Sequence, residues 1–152
     1  MKSWERRIFN ALAVLVGITG AAFFWMKYFE QTTDPFALVN HPWQSTMLSL
    51  HVVASPAFTL MLGMILNSHI LKKLRAAQLP NRRSGYFSLG TLAVMTLSGY
   101  LLQVSTSDMW LRAWLVAHVA SGALFSVTYA AHLIISVALT RSRSDTATIE
   151  VA

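Results

Sequence analysis

Residues 118–132 read HVASGALFSVTYAAH. No charged residue separates the two histidines, and the flanks, WLVA at 114–117 and LIISVAL at 133–139, are as apolar as the centre. The surrounding run, 110–139, carries a single charge, Arg112. It exceeds the ~20 apolar residues that a helix needs to cross a bilayer. Burying an imidazole in hydrocarbon is expensive, so two of them on such a segment point to a site with a partner.

Three more apolar runs precede it, at 8–29, 45–71 and 86–104. The composition agrees: of 152 residues, 55% are hydrophobic and 12% charged, where globular chains carry about 25% charged residues. Cysteine is absent, which excludes disulfides, thiolate metal sites and covalent c-type haem attachment. The net charge of +6 is not a nucleic-acid footprint, because its cations gather at the two chain ends and in the loop between the second and third apolar runs. Lys2, Arg6 and Arg7 precede the first run; Lys72, Lys73, Arg75, Arg82 and Arg83 fill the middle loop; Arg141 and Arg143 follow the last. That is the positive-inside pattern. The amino-terminal stretch MKSWERR and the run behind it imitate a signal peptide. The run is longer than the usual ~7–15 residues, however, and bulky FFWMKYF follows where a cleavage site needs small residues. A retained helix is predicted.

The expected fold is therefore all-α: an integral membrane four-helix up-and-down bundle over residues 1–140, with both termini cytoplasmic and a polar, frayed tail at 141–152. Pro56 falls inside the second span and predicts a kink there. Trp25, Trp43, Trp110 and Trp114 collect at the outer boundary, as an interfacial aromatic belt does. No internal repeat or low-complexity segment is evident. A multi-pass protein of the bacterial cytoplasmic membrane, surrounded by lipid, is the expected setting.

Four of the five histidines lie in spans: His51 and His69 on the second, His118 and His132 on the fourth. In an up-and-down bundle these two spans run in the same direction and face a shared interior. His51 and His69 are eighteen residues apart, five turns at 3.6 residues each, so they share a face. His118 and His132 are fourteen apart, about 40° short of four turns. The rise separates the first two by about 27 Å and the second two by about 21 Å, a mismatch of roughly one turn. An outer pair, His51 with His118, and an inner pair, His69 with His132, are predicted. Two facing neutral imidazoles inside an apolar bundle suit the axial positions of a low-spin b-type haem, so two haems b are expected. Lys27 and Arg112 are candidate partners of haem propionates on the outer side.

Two other readings use the same histidines. Each ring could hydrogen-bond a neighbouring helix in a haem-free membrane anchor or assembly subunit. The histidines could also serve metal-ion transport, since imidazole binds zinc, copper and nickel; yet the spans carry no Asp or Glu to accompany them. Met47, Met61, Met64 and Met95 read as packing residues.

The fourth span, with His118 and His132, resembles that of the membrane cytochrome b subunits of formate dehydrogenases and nickel-iron hydrogenases. In that family a four-helix core holds two haems b, and its last core helix supplies two histidines at this separation. The family draws a partner histidine from its first helix, whereas the first span here has none. Two histidines on each of two parallel helices are closer to the haem-binding bundle of quinol–cytochrome c oxidoreductases. The stretch DPFALVNHPWQ at 34–44 is also similar to a segment of small bacterial membrane proteins. The resemblance implies transmembrane electron transfer between a quinone pool and a redox partner, either another subunit of an oxidoreductase complex or a periplasmic cytochrome. The loop around His41 is the expected docking or quinone-facing element, and substrate chemistry would belong to another subunit.

Overall fold

The computed structural model describes residues 2–66 and 82–150, and these form four helices and no strand. They are α1 (Ser3–Tyr28), α2 (Gln44–Ile65), α3 (Arg82–Val104) and α4 (Asp108–Glu150). The chain divides into two compact units, Met1–Arg82 and Arg83–Ala152. The first holds α1 and α2, the second α3 and α4. Ser3–Tyr28, Gln44–Ile65 and Asp108–Ala131 are long and apolar enough to cross a membrane, and Leu89–Val104 is a shorter apolar stretch.

Helix α1 begins five residues before the apolar run because its first turn is capped. The Glu5 carboxylate accepts the Lys2 backbone N–H at 2.8 Å, placing negative charge where the helix dipole favours it. At the other end Asn40 Nδ2 donates to the Lys27 carbonyl at 2.9 Å, one of the last-turn acceptors that a helix leaves unpaired. The Asn40 N–H in turn donates to Gln44 Oε1 at 3.1 Å, in the first turn of α2. One asparagine thus ties the end of α1 to the start of α2. Helix α2 continues through Pro56 to Ile65. The Ser55 hydroxyl beside this proline donates to the His51 carbonyl at 2.6 Å.

In the first unit α1 packs on α2, with Val16, Phe58, Met61 and Ile65 buried and Phe9 stacked on Phe58 at 5.2 Å between ring centres. In the second unit only three residues, Ser105 to Ser107, join α3 to α4, so the two helices form a tight hairpin. Leu92, Ser98 and Ser121 are buried there. Large apolar side chains such as Ile18, Val53, Leu60, Leu97, Val116 and Val127 point outward in both hairpins. Such surfaces suit hydrocarbon, which has no need of polar groups. Helix α4 continues through the polar run RSRSDTATIE to Glu150, where the sequence pattern predicts a frayed tail. No glycine or proline interrupts it beyond Gly122. Its 43 residues reach about 64 Å, twice the hydrocarbon thickness.

Candidate functional site

Among the described residues one histidine in each hairpin is seated against the neighbouring helix, and the two seats are built alike. In the first unit, Nδ1 of His51 on α2 lies 2.9 Å from the carbonyl oxygen of Val16 on α1. A carbonyl only accepts, so Nδ1 must carry the proton. The neutral ring is then the Nδ1–H tautomer, with its lone pair on Nε2. The ring can reach this carbonyl because residue 20, one turn further along α1, is glycine. A Cβ there would stand 2.8 Å from His51 Cε1 and 2.9 Å from Nδ1. The neighbouring Thr19 is buried and turns its hydroxyl back into its own helix, to Leu15 O at 2.7 Å and Val16 O at 3.2 Å.

The second unit repeats the pattern. His118 Nδ1 on α4 donates to the Met95 carbonyl on α3 at 3.0 Å, with Ser98 Oγ a longer second acceptor at 3.4 Å. A Cβ at Gly99 would stand 2.9 Å from His118 Cε1 and 3.1 Å from Nδ1. Ser98, buried before the glycine, donates to Val94 O at 2.6 Å or Met95 O at 3.1 Å. The segments VGITG (16–20) and MTLSG (95–99) therefore correspond position by position: carbonyl acceptor, two spacers, buried hydroxyl, glycine. Trp43, just before α2, and Trp110, in the first turn of α4, each lie eight residues before the histidine. The two histidine seats thus follow one pattern.

The chemistry follows from the tautomer. An imidazole whose Nδ1–H is held by a carbonyl offers Nε2 as a neutral, oriented donor, the arrangement typical of metal-bound histidine. Such a ligand brings no charge into an apolar interior. Among the described residues no buried side-chain nitrogen or oxygen lacks a hydrogen-bond partner, and no three His, Cys, Asp or Glu side chains group to hold a metal ion.

His51 and His118 belong to separate units, each complete in its own seat. His132 lies on α4, in a part of the helix whose side chain is not described, and His69 lies outside the described residues, as do Lys72, Lys73 and Arg75. Arg112 is exposed near the start of α4. The Lys27 ammonium sits over the rings of Phe23 and Tyr28, 5.5 and 5.6 Å from their centres, a cation–π arrangement. His41 lies in the connection between α1 and α2, where its Nδ1 accepts the Trp43 N–H at 3.1 Å. Leu38 and Phe36, in the same connection, are 100% and 89% exposed, and Trp25, Phe29 and Trp43 are exposed as well.

Sequence reasoning found both imidazoles but not what holds them. Val16 and Met95 act through backbone carbonyls, which leave no trace in side-chain identity. The available signal was the pair of hydroxyl–glycine steps, Thr19-Gly20 and Ser98-Gly99, one on each helix that precedes a histidine-bearing span. Comparison with family models, with curated proteins and with solved structures finds no match to this chain.

Proposed function

We propose that this chain is a b-type cytochrome of the bacterial cytoplasmic membrane, in which His51 and His118 would together hold one haem through its iron. The observation that carries the reading is the pair of Nδ1–H bonds to Val16 and Met95, which in a neutral ring put the lone pair on Nε2. Two imidazoles are a full protein ligand set for haem iron, because the porphyrin supplies the other four nitrogens. A tetrahedral zinc site would need four protein ligands or three and a water. When bound, the haem supplies a one-electron couple. The chain's own task is to hold two ligands without added charge and to exclude water with apolar walls.

In this reading the four helices form an up-and-down bundle with both termini in the cytoplasm. His69 and His132 hold a second haem b nearer the cytoplasmic face, by the register argument alone. Electrons would pass between a quinone pool and a partner protein, with the loop around His41 facing the partner and Arg112 available to a propionate. A haem-free membrane anchor is the second reading, because the same two bonds also tie each hairpin together. A visible spectrum separates them. Purified protein reduced with dithionite should show sharp low-spin b-type bands; absence of Soret absorbance in protein from a haem-replete host would overturn the cytochrome.

A further inference from the structure

We infer that Gly20 and Gly99 are paired positioning residues, each baring the backbone carbonyl that accepts the Nδ1–H of its hairpin's histidine and orients the ring. The inference deepens the cytochrome reading and rests on it for the identity of the ligand. The seat itself rests on the hairpins alone.

In an α-helix the Cα–Cβ bond tilts toward the N-terminus, so a side chain covers the turn before its own Cα. A residue at position 20 would therefore shade the turn at 16–17, and one at 99 the turn at 95–96. Glycine leaves both turns open. The open carbonyl then accepts a ring N–H from the neighbouring helix while keeping its own helical bond, since it has two lone pairs. Thr19 and Ser98 add their hydroxyls to the same turns.

The tight seats are confined to these two glycines. Of the six glycines whose surroundings are described, Gly17, Gly63 and Gly90 have nothing within 4 Å of an added Cβ, and Gly122 would meet Met95 Sδ at an ordinary 3.7 Å. The two that would collide both collide with a histidine, through the same two ring atoms, four residues after the carbonyl that the ring bonds. A contact shaped by chance packing has no reason to recur in that register in two separate hairpins. The duplication also gives the two rings like surroundings, so they should behave as equivalent ligands.

The test uses the full chain labelled with ¹⁵N-histidine, produced without haem and placed in lipid nanodiscs. Ring ¹⁵N shifts are assigned with single His→Gln variants. In the unaltered protein His51 and His118 should both show a protonated Nδ1 and an unprotonated Nε2; an Nε2–H form at either one overturns the inference. That arm needs no glycine variant to fold. Gly20→Ala should then disturb the His51 signal and leave His118 alone, and Gly99→Ala the reverse. Each should weaken haem retention about 10–100-fold, as loss of a bond that orients a metal ligand does. Gly90→Ala, nine residues from Gly99 and thus on the opposite face of α3, should change neither readout. Alanine variants that keep the tautomer and the haem would refute the positioning role. If the protein takes up no haem at all, the cytochrome reading fails, while the nitrogen shifts still decide the seat.

Discussion

Replacing Gly20 by alanine asks whether the close approach of His51 to α1 carries stability as well as position. The added Cβ would stand 2.8 Å from Cε1 and 2.9 Å from Nδ1, where carbon atoms settle at about 3.5 Å or more. The ring must retreat by about 0.7 Å, which stretches the 2.9 Å bond to Val16 to about 3.6 Å, beyond hydrogen-bonding range. Losing that bond costs about 1 kcal/mol, and the residual overpacking about 1–3 kcal/mol. Alanine returns about 1 kcal/mol as the better helix former. The net expectation is a loss of about 1–3 kcal/mol. At Gly63, where nothing lies within 4 Å, only the favourable term remains, so Gly63→Ala should gain up to about 1 kcal/mol. The two substitutions differ in sign on one hairpin. Equilibrium unfolding in mixed detergent micelles, followed by helical circular dichroism, measures both. Gly99→Ala should fall on the same side as Gly20→Ala but cost less, since its contacts are 2.9 and 3.1 Å. A Gly20→Ala protein as stable as Gly63→Ala would refute the seat.

Other consequences concern the loop and the orientation. Asn40→Ala removes the bond that closes the end of α1 onto the start of α2 and should cost about 1 kcal/mol. Limited proteolysis would show it as faster cleavage between residues 30 and 43 with the rest of the chain unaffected. Because the chain has no cysteine, single cysteines report topology directly. Thr33→Cys should react with a membrane-impermeant maleimide added outside intact cells, and Arg143→Cys only after the membrane is opened. The opposite labelling would reverse the proposed orientation.

The starts of α2 and α4 were close to legible in the residues. The predicted runs 45–71 and 110–139 begin within two residues of α2 at Gln44 and α4 at Asp108, because polarity changes abruptly there beside Trp43 and Trp110. The far end of α4 was not, since RSRSDTATIE lacks both apolar character and a helix breaker. Only the breaker bears on where a helix stops. His51 and His118 stood out because ionisable side chains are costly among apolar residues. Their anchors did not, because a carbonyl is offered by every residue and is singled out only by what fails to cover it. Apart from the hydroxyl residue before each, nothing in the sequence distinguishes Gly20 and Gly99 from Gly17 or Gly90; the ring above each does. The recurrence of the seat was hidden for the same reason. Valine matches methionine and threonine matches serine in role, while the shared element is main chain.

The pairing of His51 with His118 on a single haem is tested most directly by counting what each loses. Pyridine haemochrome content and a reductive titration should be measured on the wild-type protein, His51→Ala, His118→Ala and the double variant, all in the same membrane preparation. The pairing predicts that each single variant loses one and the same low-spin component, identical in band position and midpoint potential, and that the double variant loses nothing more. Two single variants that lose different components, or a double variant that loses twice as much haem, would contradict it.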